Sequence, residues 1–231
     1  MANEKNSLKI LEIKKTDQYA TVEELFKKSQ PNSIYYTLLI LSSLIVACGL
    51  LLGNSTIVIG GMLVAPLLTP ILVIALGIIV GEFKALKAPT VLILKSALAV
   101  VVVSFLLAIL FGSPQTISIF DNSLRVAILY FFVAIASGMA ATFAWSRKDI
   151  IDILPGIAIA VSLVPPLSAL GISLSSFNLV TSRLAFVIFI FNLVGIVLGS
   201  LVVFSLLGFQ KTQKAVEKAI NVQEAEKEKT V

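Results

Sequence analysis

The side chains able to do chemistry are few, and most of them interrupt long apolar runs. Lys95 is the one ionisable group well inside such a run, and Asn192 places an amide in the last of them. Thr69 and Ser162 place hydroxyls beside two proline pairs, Pro66 with Pro70 and Pro165 with Pro166, and Gly60 and Gly61 precede the first pair. A proline inside a helix withdraws one backbone donor and displaces the carbonyl one turn back. In hydrocarbon the freed N–H and C=O groups must be answered by protein, water or a bound solute. These residues suit the solvation of a small polar solute or ion by backbone dipoles and hydroxyls.

Each has a second reading. Lys95 lies about two turns from the end of its run, so its stem can snorkel to the interface, or its ammonium can attract an anion or gate a path. Asn192 aligns with Ser96 and can bond between helices or line a pathway. Thr69 and Ser162 can cap the freed backbone or touch a solute.

Bond-making chemistry is poorly supplied. There is no His, and Cys48, the single cysteine, lies in an apolar run and reads as a packing residue, so the inventory excludes disulfide frameworks, His-based triads and Cys/His metal centres. The runs hold no paired carboxylates, and Lys95 is the only base available to any serine. Neither an enzyme nor a cofactor site is expected.

The elements that must position these residues follow from composition. The chain has 231 residues, 58% hydrophobic and 13% charged, against about 25% charged in soluble domains. A bilayer core about 30 Å thick needs about 20 apolar residues per helix. The runs Ser33 to Leu52, Thr56 to Val80, Pro89 to Phe111, Leu124 to Trp145, Ile151 to Leu174 and Arg183 to Leu207 meet that length. The first begins behind a charged stretch and reads as an anchor, not a cleaved signal. Tyr35, Tyr36 and Trp145 read as interface markers. Asn54 opens a sequon but reads as a helix start, and Asp149 and Asp152 as caps ahead of Pro155.

The net charge of +5 belongs to tails and connections, so it speaks for topology and against nucleic acid. Lysines crowd residues 1–32, recur at Lys84 and Lys87, then with Arg147 at Lys148, and return in residues 209–231, while the alternate connections are poor in them. Six crossings with both termini cytoplasmic fit that alternation, in the cell membrane. The N-terminal segment carries a short amphipathic helix at Thr21 to Ser29 that could lie on the membrane surface, and the final tail reads as a frayed helix in water.

The membrane part, residues 33–208, divides into 33–112 and 123–208. Ala75-Leu76-Gly77 after the first proline pair matches Ala169-Leu170-Gly171 after the second, and Ser104 to Gly112 lies on Ser200 to Gly208. Three crossings per copy turn the second copy upside down. The expected fold is therefore an all-α polytopic membrane protein, six helices in a 3+3 inverted repeat, with the second and fifth broken at their prolines, the layout of many secondary transporters.

The segments Ile59-Gly60-Gly61-Met62-Leu63-Val64-Ala65-Pro66-Leu67 with Pro70, and Gly156-Ile157-Ala158-Ile159-Ala160-Val161-Ser162-Leu163-Val164-Pro165-Pro166-Leu167, resemble the membrane proteins filed as domain of unknown function 389. The resemblance covers roughly Ser33 to Leu207. It implies a prokaryotic polytopic membrane protein, many of whose relatives carry a soluble domain that this chain is expected to lack, and it implies little about activity.

The leading expectation is a transporter or channel for a small polar solute or ion, with the bilayer as its other partner and a homo-oligomer allowed. Its pathway would be built from Gly60, Gly61, Pro66, Thr69, Pro70, Lys95, Ser162, Pro165, Pro166 and Asn192. The rival is a non-transporting scaffold or sensor partner whose breaks only shape a packing surface.

Overall fold

The computed structural model describes residues 13–112, 124–147 and 162–228. Among them every regular element is helical: α1 Lys15–Lys28, α2 Ser33–Leu51, α3 Ser55–Met62, α4 Leu68–Val80, α5 Lys84–Phe111, α6 Leu124–Trp145, α7 Val164–Ser175, α8 Leu179–Leu206, a 3-10 turn Phe209–Thr212 and α9 Gln213–Glu228. Four are long and apolar enough to cross a membrane, in α2, α5, α6 and α8, whereas α4 and α7 are short apolar helices. The run 148–161, with Asp149, Asp152, Pro155 and Gly156, lies outside the described residues.

Asparagines start three helices by accepting the backbone donors that a first turn leaves free. Asn32 Oδ1 takes Tyr35 N at 2.7 Å, Asn54 Oδ1 takes Thr56 N at 3.0 Å and Ile57 N at 3.2 Å, and Asn178 Oδ1 takes Thr181 N at 3.1 Å. Asn54 is therefore a cap, as its position in a tight turn predicts.

Two boundaries differ from expectation. α5 begins at Lys84, not Pro89, because Lys84 to Ala88 are good helix formers and buried Ala85 packs beside Gly77. α8 begins at Leu179, not Arg183, behind the Asn178 cap.

α6 and α8 lie together along a seam of small residues. Gly138 meets the backbone of Ile196, while Gly195 meets Ala134, and Gly199 meets the backbone of Ile135 and Met139. Gly195 and Gly199 are four residues apart, the spacing that lets membrane helices approach backbone to backbone. α4 packs on α5 and α8, α7 packs on α8 and α5, and α2 packs on α3, α5 and α7.

One end of the bundle is capped by the polar helices α1 and α9. In α1, Gln18, Thr21, Val22, Leu25 and Phe26 are buried, a stripe at three- and four-residue spacing. That stripe faces α4, the 3-10 turn and α9 rather than a free membrane surface, so the helix is longer than Thr21 to Ser29 and is covered. α9 in turn buries Ala215 and Val216, which a frayed tail would leave in water. Gln18 Nε2 donates to Leu207 O at 2.8 Å and Gln223 Nε2 to Phe26 O at 2.8 Å, tying the two ends of the chain on one face.

The long helices turn their other faces outward. On α5, Leu94 and Leu98 are 65% exposed and Leu110 is 72% exposed, and α2, α6 and α8 expose Leu, Ile, Val and Phe in the same way. Faces of this extent need hydrocarbon as their solvent.

Candidate functional site

The apolar run from Thr56 to Val80 is two helices separated by residues 63–67. Gly61 allows the approach of α3 to α2, since a Cβ there would meet Val46 and Ile45. Ser42 Oγ donates to Gly61 O at 2.8 Å from α2. Val64 N and Ala65 N turn back to Gly61 O at 3.2 Å and Met62 O at 3.3 Å, which tightens the end of α3. Pro66 then has no N–H with which to continue. Pro70 lies in the first turn of α4, where a missing donor is harmless, so the non-helical stretch is 63–67 and does not reach Pro70.

Around the second proline pair the described backbone begins at Ser162. Pro165 and Pro166 are buried in the first turn of α7 and start that helix. Ser162 O would ordinarily accept from residue 165 or 166, and neither proline has a proton to give. Asn192 Nδ2, on α8 and buried, donates to Ser162 O at 2.7 Å and supplies the missing donor. Beside each proline pair a carbonyl is thus answered by a side chain of a long neighbouring helix, Gly61 O by Ser42 and Ser162 O by Asn192.

Beside the first interruption lies a cavity of about 870 Å³. Leu63, Ala65, Pro66 and Thr69 line it together with Asn32, with Tyr35 and Leu38 of α2, with Glu24, Lys27 and Lys28 of α1 and with Trp145. Lys28 Nζ is 3.0 Å from Glu24 Oε1 and 4.7 Å from the Trp145 ring centroid. Thr69 Oγ1 donates to Lys28 O at 3.3 Å, so its hydroxyl joins the break to α1 and does not cap the break itself. The lining is mainly apolar with charge at one side, which suits holding a solute by a few polar contacts.

The ten sequence-derived residues are therefore divided. Pro66 and Thr69 line this cavity; Ser162 and Asn192 bond to each other; Pro165 and Pro166 are buried in the first turn of α7; Pro70 is buried in α4. Gly61 is a packing contact, Gly60 is exposed with open space where a Cβ would stand, and Lys95 lines a different hollow.

Tyr35 was the residue sequence reasoning missed. It reads as an interface marker, yet it is 3% exposed and its hydroxyl lies 2.9 Å from Ser96 Oγ. The signal was its register: Tyr35, Leu39, Ser42, Val46 and Gly49 form one inward stripe of α2. Trp145, also read as an interface marker, is buried beneath Lys28. Among the described residues no group of three or more His, Cys, Asp or Glu side chains gathers to hold a metal ion.

Several membrane-length helices with lipid-exposed faces around a buried seam define a multi-pass membrane protein. The chain belongs to the family described as Domain of unknown function (DUF389), whose profile matches residues 62–198. An uncharacterized protein of Methanocaldococcus jannaschii is 27% identical over 195 residues, covering 82% of this chain and 58% of that protein. The chain thus spans less than two thirds of that relative's length. No solved structure matches the chain.

Proposed function

We propose that this protein is a transporter or channel for a small polar solute or ion, with its pathway beside the two proline-marked interruptions. The observation that carries the reading is the non-helical segment 63–67, set within an apolar run and opening on the cavity of about 870 Å³. Protein groups answer Gly61 O and Met62 O at this break, and the charged side chains of α1 on the cavity lining offer a polar solute its contacts.

In this reading six crossings form a 3+3 inverted repeat, with α2 to α5 exchanged for residues 124 to 206. Three contacts support the exchange: α2 with α5 against α6 with α8, α4 with α5 against α7 with α8, and α5 with α7 against α8 with α4. The α2–α7 contact has no counterpart of like extent between α6 and α4. The shared face of α1 and α9 supports both termini on one side, and the lysine tally makes that side cytoplasmic.

The scaffold reading also has an observation in its favour. Pro165 and Pro166 are buried at the start of α7, a helix that packs on α5 and α8, as prolines with a purely structural role would be.

Reconstitution separates the two. Proteoliposomes screened against a panel of small ions and polar solutes should show flux of at least one of them, and Pro66→Ala, which lets α3 run toward α4, should lower that flux about tenfold at unchanged membrane insertion. A protein that moves none of the panel, or a Pro66→Ala form with full flux, would return the reading to the scaffold.

Topology is checked on a Cys48→Ala background. Single cysteines at Leu52 and Phe177, which are 71% and 88% exposed, should react with an impermeant maleimide from outside. A cysteine at Phe83, 74% exposed, should react only after lysis. Reaction of Phe83→Cys in intact cells would rule out six crossings.

A further inference from the structure

Lys84, Lys87 and Lys95 stand at spacings of three and eight residues on one face of α5, with Val91 between them, and all three line one hollow of about 510 Å³. Eleven residues of helix carry this row about 16 Å along the axis. Apart from Glu224, the other helices contribute apolar or neutral residues to the lining, among them Phe26, Tyr36, Ile220 and Gln223. Glu224 is the one acidic side chain on the lining, so the hollow carries a positive excess. None of the three lysines makes an ion pair among the described residues.

Position decides what an occupant must be. The row starts at the end of the bundle that α1 and α9 cap and ends at Lys95, beyond Pro89 and within the span. Flanking Lys95 on the same helix, Leu94 and Leu98 are 65% exposed and Val91 is 42% exposed, so the hollow opens directly onto the lipid-facing surface. A soluble anion would have no use for that apolar track. An amphiphile uses both parts, its anionic headgroup between the ammonium groups and its acyl chains along Leu94 and Leu98. Basic pockets at the membrane interface hold anionic headgroups in this way.

We infer that the Lys84, Lys87 and Lys95 face of α5 is a binding site for an anionic phospholipid of the leaflet on the α1 and α9 side. The inference rests on membrane embedding and not on transport. It assigns Lys95 to the lipid boundary, away from the cavity at Pro66 and Thr69.

Native mass spectrometry of the detergent-purified full chain tests it. Titrated with phosphatidylglycerol, the protein should retain one lipid in preference to phosphatidylcholine, and inorganic phosphate should not displace it. Each lysine near a membrane surface contributes about fivefold to attraction for anionic lipid, so Lys95→Gln should lower the preference about fivefold. Lys95→Arg should keep it, showing that a folded variant with the charge retained still binds, and Lys15→Gln, on exposed α1 surface, should leave it unchanged. Equal loss in Lys15→Gln would reduce the effect to general surface charge and overturn the site. Displacement by inorganic phosphate would make it a soluble-anion site and overturn the lipid, as would a preference untouched in the Lys84→Gln, Lys87→Gln, Lys95→Gln triple variant.

Discussion

Replacing Gly138 and Gly199 together with leucine should lower the unfolding midpoint in detergent by about 10 °C or more and remove the monodisperse species. A Cβ at either position runs into partner backbone, the Ile196 carbonyl for Gly138 and the Ile135 carbonyl for Gly199. Backbone cannot rotate away as a side chain can, so α6 and α8 must separate. Overpacking of this kind costs about 1–3 kcal/mol and sometimes more, and in a chain of this size each kcal/mol moves the midpoint by about 2–4 °C. The two effects are not independent, because the first substitution already parts the seam that the second would strain. Gly60→Leu is the matched control, since a Cβ there meets nothing within 4 Å, and its midpoint should shift by less than about 2 °C. A double variant as stable as the parent would show that α6 and α8 do not meet at these glycines.

The second large effect belongs to Asn192. Asn192→Leu removes the donor at 2.7 Å from Ser162 O and leaves that carbonyl facing two prolines. Losing one partner of a buried bond costs about 1–3 kcal/mol, more than the 0.6 kcal/mol or so of an average bond between membrane helices. The midpoint should fall by about 3–10 °C, and the amides of Val164 and Leu167 should exchange faster with solvent. Pro166→Ala restores an N–H to the chain at the place where Ser162 O can accept it, so adding it to Asn192→Leu should recover at least half of the loss. Tyr35→Phe should be milder: Ser96 can turn its hydroxyl to the carbonyl one turn back, as Ser43 and Ser200 do at 2.7 Å. If Asn192→Leu is no worse than Tyr35→Phe, or Pro166→Ala gives no recovery, Asn192 is not the donor the prolines lack.

That pairing marks the boundary of what the sequence discloses. The apolar runs announce the long helices because their length matches a bilayer, and Asn32, Asn54 and Asn178 announce where three helices start. Prolines announce an interruption but not its extent: Pro66 ends a helical segment, while Pro70, Pro165 and Pro166 sit in first turns, and the difference depends on which residue precedes each helix. Asn192 and Ser162 are both visible as candidates, yet their contact joins positions 30 residues apart and is set by how α7 lies on α8. Thr69 and Lys28, which meet over 41 residues, are hidden for the same reason. Lys95 shows itself by being charged in an apolar run, but only the fold puts Lys84 and Lys87 on the same hollow and gives it Ile220 as a wall.

The embrace of α1 by α9 also bears on how the protein is made. A ribosome releases α1 well before α9, so Val22, Leu25 and Phe26 have no complete cover while the membrane helices between them are being threaded in. During that interval the stripe is a sticky amphipathic face beside the nascent bundle, held near the bilayer by the adjoining α2. Closure of the cap must wait until residues 213–228 emerge and Gln223 reaches the carbonyl of Phe26.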